Sequence, residues 1–158
     1  MVQNFTIREA AEEDLPGILE CLREAFEPYR EAYTPAAFAD TVPETLAGRL
    51  QTMTVLVAAA DDGTIAGTVS FGLAGEREGH LRGMAVREAW QGCGIAPQLL
   101  ASAEARLRAL GCRRATLDTT QPLTRAIAFY RRNGYAPTSR VQDFFGMPLY
   151  EFARDLGE

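Results

Sequence analysis

A turn of small residues between an apolar stretch and a helical pattern limits most strongly what this chain can fold into. The apolar stretch ends at Val86, the turn contains Gly92 and Gly94, and the apolar spacing after it predicts a helix over residues 97–110. Glycines let backbone N–H groups approach a ligand closely, and a helix N-terminus adds unpaired donors and the positive end of the helix dipole. The segment therefore predicts a strand, a turn and a helix that together bind an anion, most often a phosphate.

Two well-known glycine motifs of nucleotide-binding proteins fit this turn less well. The glycine pair resembles the start of a dinucleotide fingerprint, but Pro97 occupies the third glycine position and Gly92 comes six residues after Val86. That fingerprint needs its turn directly at the strand end. A P-loop is excluded because the chain contains no lysine. A plain loop without a ligand stays open as the alternative.

The composition is that of an ordinary globular protein. The 158 residues, 47% hydrophobic and 23% charged, predict one domain over residues 1–158 with a sheet-and-helix core. A net charge of −5 argues against nucleic acid as a partner. No apolar run reaches the ~20 residues of a membrane span, and the first residues lack a secretion signal, so we expect no membrane partner and a cytoplasmic location. Three cysteines without metal-ligand spacing predict neither a metal site nor a disulfide framework.

The hydrophobic pattern predicts the element order β-α-α-β-β-β-α-β-α-β-β. This order is that of an α/β fold with a mixed sheet and helices on both faces. Turn signals such as Asp61-Asp62-Gly63 mark a hairpin between two of the strands. The predicted strands cover residues 5–8, 54–60, 64–73, 80–86, 115–119, 141–145 and 148–154. The helix after the glycine turn is expected to bury Leu99, Leu100, Ala103, Leu107 and Leu110.

Two local motifs within this order resemble the GNAT superfamily of N-acetyltransferases. The order Gln-x-x-Gly-x-Ala over residues 91–96, after a Met-x-Val strand, resembles the family's acetyl-CoA pyrophosphate loop. Residues 126–135, Ala-Ile-Ala-Phe-Tyr-Arg-Arg-Asn-Gly-Tyr, resemble its late helix. The resemblance implies a single-domain GNAT fold with about seven mostly antiparallel strands, the central ones splayed apart to admit CoA. It also implies direct attack of a primary amine on acetyl-CoA in a ternary complex; a catalytically silent CoA-binding sensor or partner-binding module is the alternative.

The resemblance also implies where acetyl-CoA binds. The pyrophosphate would lie on the turn amides, and the pantetheine arm would pair with the backbone of the preceding strand. One departure is Leu123, where many relatives carry asparagine, so Gln121, Thr120, Thr124 or a water molecule would have to replace that contact. The implied cofactor-binding residues are Met84, Ala85, Val86, Gln91, Gly92, Cys93, Gly94, Ile95, Ala96, Thr124 and Phe129.

Two residues are candidates for proton transfer. Tyr130 matches the family tyrosine near the CoA sulfur, and a phenol with a pKa near ~10 can donate to a departing thiolate. His80 is the only histidine, and an imidazole with a pKa near ~6.5 suits the general base. The alternatives are a merely packed Tyr130, a surface His80 and a base made of water molecules. Strand alternation predicts that His80, Arg82, Met84 and Val86 share one face.

The acceptor is expected to be a small-molecule or peptide amine. Arg82 could hold a substrate carboxylate in a bidentate pair. Aromatic residues are concentrated where the family builds its acceptor site, which favours an amine with an apolar part; ordinary core packing of these rings is the alternative. The predicted substrate-binding residues are Arg82, Tyr29, Tyr33 and Phe145. Oligomeric state stays open, a homodimer included.

Overall fold

The computed structural model describes residues 4–157 and contains seven strands and five α-helices. The strands are β1 (Phe5–Glu9), β2 (Thr54–Ala60), β3 (Ile65–Gly75), β4 (Glu78–Val86), β5 (Arg114–Thr119), β6 (Ala136–Phe144) and β7 (Met147–Asp155). The helices are α1 (Leu15–Phe26), α2 (Pro35–Thr41), α3 (Arg49–Thr52), α4 (Ile95–Ala109) and α5 (Thr124–Arg132). None of the helices within residues 4–157 is long and apolar enough to cross a membrane. The cytoplasmic location stays a prediction.

All seven strands belong to one mixed sheet in the order β1-β2-β3-β4-β5-β7-β6. Every neighbouring pair is antiparallel except β4 and β5, which run parallel. Their ladder joins only four residue pairs, from Glu78↔Arg114 to Leu81↔Leu117. Beyond Leu81 the two strands separate, which is the opening expected at the centre of the sheet.

Helices cover both faces of the sheet, as predicted. On one face α4 packs Ile95, Leu99, Leu100, Ala103 and Leu107 into the main hydrophobic core. This set recurs every three or four residues, so one side of the helix meets the sheet, and each buried leucine contributes ~1.5–3 kcal/mol. The prediction for Leu110 was wrong: it follows the last helical turn and is 59% exposed.

On the other face α1 packs against the sheet through a second core. This helix packs on β3 and β4, and its Ile18, Cys21 and Leu22 belong to the same buried cluster as Val55 and Val57 of β2. The intervening Leu56 and Ala58 belong to the core on the α4 face. Because β2 is covered on both faces, its sequence is a continuous apolar run rather than an alternation.

A β-bulge in β4 changes which side chains share a face. Thr68 pairs with Ala85 while Ser70 pairs with Arg82, so β4 carries one extra residue between the two pairs. Gly83 takes up this extra position with φ +66, a conformation that side chains rarely tolerate.

The bulge separates residues that simple alternation places together. After it, Met84 and Val86 pack on the α4 core, whereas Arg82 contacts Asp40 of α2 on the opposite face. The expectation that His80, Arg82, Met84 and Val86 share one face is therefore wrong. The strand instead points its two polar side chains toward α2 and its two apolar ones toward α4.

Candidate active site

A cavity of about 930 Å³ occupies the opening where β4 and β5 separate. The glycine turn, the start of α4 and α5 line one part of it. The ends of β4 and β5, together with α2 and α3, line the other part. The cavity therefore extends through the sheet and connects the two faces.

The glycine turn forms an anion-binding end of this cavity. Gly92 and Gly94 both have positive φ (+80 and +88), and α4 begins directly after Gly94. The first residues of α4, Ile95 and Ala96, also line the cavity, and their N–H groups have no partner within the helix. A Cβ at Gly92 would meet nothing within 4 Å, which leaves the space above the turn open. Arg125, in the first turn of α5, donates from Nη1 to Oε1 of Gln91 at 3.0 Å and adds a positive charge. Backbone donors, helix dipole and guanidinium together suit a phosphate.

The end of β4 provides the next part of the cavity. Met84, Ala85 and Val86 line it, and they lie beyond the last residue paired with β5. An extended ligand with amide groups could pair with this strand edge as another strand would. Thr119 of β5 borders the same gap, and its buried Oγ1 has no hydrogen-bond partner among the described residues. These residues fit the pantetheine arm of CoA.

Tyr130 of α5 lies against the cavity with only 8% of its surface exposed. Its ring packs against Phe129 and Tyr135, with centroids 5.5 and 6.0 Å away. Tyr135 in turn donates its hydroxyl to Glu104 Oε2 at 2.7 Å, and Arg154 Nη1 donates to the other carboxylate oxygen at 2.7 Å. Burial raises the pKa of Tyr130 well above its ordinary value, so the hydroxyl stays protonated at neutral pH.

His80 and Asp118 meet on the α2 side of the cavity. The imidazole Nε2 lies 3.4 Å from Asp118 Oδ2, and Nδ1 lies 2.7 Å from the hydroxyl of Thr116. The Thr116 hydroxyl donates to the Gly79 carbonyl oxygen at 3.4 Å, so Nδ1–H can donate to Thr116 Oγ1. That tautomer leaves Nε2, beside the carboxylate, as the nitrogen that can take up a proton. The second carboxylate oxygen, Oδ1, is buried and has no hydrogen-bond partner among the described residues. Both side chains line the cavity, so the pair can exchange a proton with a ligand there.

The same side of the cavity carries further polar groups. Arg82 Nη2 donates to Asp40 Oδ2 at 3.2 Å, and the guanidinium of Arg49 lies near both. The Tyr33 hydroxyl and Thr120 Oγ1 share a buried hydrogen bond of 2.5 Å, and burial raises the pKa of Tyr33. This wall therefore combines charged groups with aromatic rings.

Most of the residues singled out in the sequence border this one cavity. They are Tyr29, Tyr33, His80, Arg82, Met84, Ala85, Val86, Gln91, Gly92, Gly94, Ile95, Ala96, Phe129 and Tyr130. Three lie elsewhere. Cys93 is half-buried, with Sγ 4.0 Å from the Gln91 carbonyl oxygen; Thr124 is exposed at the start of α5; and Phe145 is 53% exposed in the β6–β7 turn. The neighbouring Phe144 lines the cavity instead.

The lining residues that were not anticipated include four charged ones: Asp40, Arg49, Asp118 and Arg125. Asp118 had a usable signal, because it is the only acid in the strand that pairs in parallel with the histidine strand. The other three lie on short helices or at helix starts, where charged residues are ordinary. Among residues 4–157 there is no group of three His, Cys, Asp or Glu side chains that could hold a metal ion.

A sheet opened at its centre, with a glycine turn and a helix start beside the opening, matches the arrangement expected of a CoA-dependent acyltransferase domain. The model of the acetyltransferase (GNAT) family matches residues 15–135, well over half of the chain. The chain therefore belongs to the GNAT acetyltransferase family. The prediction of an acetyl-CoA-dependent N-acetyltransferase is thereby confirmed at the level of the family, whose co-substrate is acetyl-CoA.

Solved structures agree on the fold. A GNAT-family acetyltransferase from Staphylococcus aureus superposes with a TM-score of 0.81 at 16% identity, covering 97% of this chain and 99% of the other. The PaiA N-acetyltransferase from Thermoplasma acidophilum, solved with coenzyme A, gives 0.77 at 20% identity, covering 96% and 99%. At these identities the likeness concerns the fold alone.

A curated relative is similar over a shorter stretch. The aminoglycoside N(6')-acetyltransferase type 1 of Stenotrophomonas maltophilia is 39% identical over 71 residues, which are 45% of this chain. The match spans 46% of that enzyme, about half of its length.

Proposed function

We propose that this protein transfers the acetyl group of acetyl-CoA to the primary amine of a small molecule by direct attack in a ternary complex. The observation that carries the proposal is the single cavity through the sheet, which brings Tyr130 and the His80–Asp118 pair to one opening. Two substrates held together there react as if within one molecule. The similarity to an aminoglycoside acetyltransferase favours a small-molecule acceptor.

The co-substrate would be held by backbone more than by side chains. The amides around Gly92 and Gly94, with Arg125 beside them, would bind the pyrophosphate. The open edge of β4 would hold the pantetheine arm, with an amide near Val86 facing the thioester carbonyl. The proposed contact residues are Met84, Ala85, Val86, Gln91, Gly92, Gly94, Ile95, Ala96 and Phe129, with Cys93 contributing through its backbone.

Groups on opposite sides of the gap would carry out the two proton transfers. Acetyl-CoA supplies the thioester, whose C–S bond breaks as the bond from the amine nitrogen to the acetyl carbon forms. The His80–Asp118 pair takes the proton from the amine, since its Nε2–Oδ2 edge borders the cavity. Tyr130 gives its hydroxyl proton to the departing sulfur and is reprotonated from solvent. No acyl-enzyme intermediate is required.

Turnover across a panel of amines tests this function. The panel contains an aminoglycoside, a polyamine, amino acids and a peptide N-terminus, and the assay follows release of the CoA thiol. We expect turnover with at least one small amine, and a loss of ~10²-fold or more in kcat for Tyr130→Phe. Tyr150→Phe makes the same chemical change at a tyrosine of β7 that does not line the cavity and serves as the matched control.

Two outcomes would contradict the proposal. Tight acetyl-CoA binding without turnover of any amine would fit a CoA-binding sensor instead. Equal kcat values for Tyr130→Phe and Tyr150→Phe would remove the tyrosine from the chemistry.

A further inference from the structure

The α2 side of the cavity, where the acceptor amine would bind, contains two arginines and only one aspartate close to them. Arg82 is paired with Asp40 at 3.2 Å. Arg49, at the start of α3, makes no ion pair within 4.0 Å among residues 4–157. Its Nη1 lies 3.0 Å from the position that a Cβ on Gly83 would occupy, so the guanidinium rests against the bulge of β4. All three charged side chains line the cavity.

The charge balance at this position favours an anion. Arg49 is half-buried, and burial lowers its pKa; the neighbouring charge of Arg82 lowers it further, while Asp40 acts in the opposite direction. Arginine nevertheless stays protonated in proteins. The group therefore carries one uncompensated positive charge in a partly desolvated place, which an anionic ligand would neutralise.

We infer that Arg49 and Arg82 together bind a carboxylate of the acceptor, so that the substrate is an amino-acid-like primary amine. This inference rests on the proposed acetyl transfer and names its substrate class. Two planar guanidinium groups match the planar carboxylate, which each can contact with paired N–H donors. A polycationic acceptor fits less well, because it would have to bring more positive charge beside Arg49.

Geometry places the two ends of such a substrate side by side. His80 and Arg82 stand two residues apart on one face of β4, a separation of ~6–7 Å. The amine would lie at the His80–Asp118 pair and the carboxylate at the arginines, as in a compact amino acid. Apolar and aromatic side chains complete the wall and would contact the rest of the substrate: Phe26, Tyr29, Met53 and Phe144.

Three matched amines test how much the carboxylate alone contributes to kcat/KM. L-Phenylalanine, L-phenylalaninamide and 2-phenylethylamine share the aromatic ring and the primary amine, and only the first carries a carboxylate. With the wild-type protein we expect kcat/KM for phenylalanine to exceed that for the amide by about 10-fold or more. The difference should lie mainly in KM.

Variants test whether the two arginines cause this preference. Arg49→Gln and Arg82→Gln should each lower the acid-to-amide ratio of kcat/KM by about 10- to 100-fold. Arg23→Gln, on the exposed side of α1, should leave the ratio unchanged. Asp40→Asn should raise the acid-to-amide ratio of kcat/KM, because it removes the carboxylate that competes with the substrate for Arg82. If Arg49, Arg82 and Asp40 had only a structural role, the ratio would fall instead.

Binding of N-acetyl-L-phenylalanine in the presence of CoA, followed by isothermal titration, tests the arginines without turnover. We expect Arg49→Gln to weaken it by about 10-fold or more. Equal kcat/KM for all three amines, or a wild-type ratio in Arg49→Gln, would overturn the inference while leaving acetyl transfer intact. If no amine of any kind is acetylated, the proposed function fails, and the titration still decides whether the arginines hold a carboxylate.

Discussion

Raising the pH from about 8 to about 11 should destabilise this protein through three buried acids. The pKa of Cys21 is raised by burial from 9.0 to about 12. Burial also raises the pKa values of Tyr130 and Tyr135 far above their usual 10.0, and the Glu104 carboxylate raises that of Tyr135 further. In the folded state all three groups keep protons that the unfolded chain releases. Their contribution to the free energy of unfolding is fully present below the pKa values of the unfolded chain, and it is lost as the pH rises above those values.

The size of the loss follows from the shifts. Each group costs about 1.4 kcal/mol of unfolding free energy per pH unit above its unfolded pKa. At about pH 11, Cys21 is two units above that value and each tyrosine one unit, so the three together cost about 5 kcal/mol. A domain whose total stability is ~5–15 kcal/mol would then be close to unfolding.

Urea unfolding followed by far-UV circular dichroism, with reductant present, measures this loss. Wild type should lose about 5 kcal/mol between about pH 8 and about pH 11. Cys21→Ala should lose only about half as much, since it removes the group with the earliest onset. An unfolding free energy that stays constant over this range, or an identical loss in Cys21→Ala, would refute the reasoning.

Two further predictions concern the site. Gly94→Val should raise the Kd for CoA, measured by isothermal titration, by about 10-fold or more, because valine at φ +88 distorts the proposed phosphate-binding turn. The control is Gly63→Val, at φ +92 in the hairpin turn, which introduces the same backbone strain and should leave CoA binding unchanged. Asp118→Asn should lower kcat by ~10²-fold or more while acetyl-CoA still binds, because it removes the carboxylate beside the imidazole. Asp61→Asn on the exposed hairpin is the control, and a wild-type kcat in Asp118→Asn would exclude that carboxylate from proton transfer.

Local patterns in the sequence were sufficient for the framework of the fold. The apolar run of β2 and the helical spacing of α4 are each determined by neighbours within one element, so the sequence predicts them directly. The same holds for the glycine turn and for Tyr130, which belong to contiguous motifs. The sheet opening followed from the resemblance to a known fold.

The rest of the site depends on contacts between distant parts of the chain. The bulge at Gly83 arises from the register between β3 and β4, and although a glycine inside a strand is a known sign of a bulge, alternation alone places the following side chains on the wrong face. Asp40 and Arg49 come from two helices, and no spacing in the sequence reveals that they lie together with Arg82.

The short ladder between β4 and β5 has a mechanical consequence. The four pairs from Glu78↔Arg114 to Leu81↔Leu117 are the only register pairs that join the β1–β4 half of the sheet to the β5–β7–β6 half among the described residues. Backbone hydrogen bonds therefore contribute little to holding the halves together, and the connection depends on the core around α4, which contains residues of both halves such as Leu81 and Leu117. A CoA molecule that spans the gap would tie the halves together, adding about 2.7 kcal/mol of stability at a hundredfold excess over its Kd. The domain would then be more flexible without acetyl-CoA and more rigid with acetyl-CoA bound.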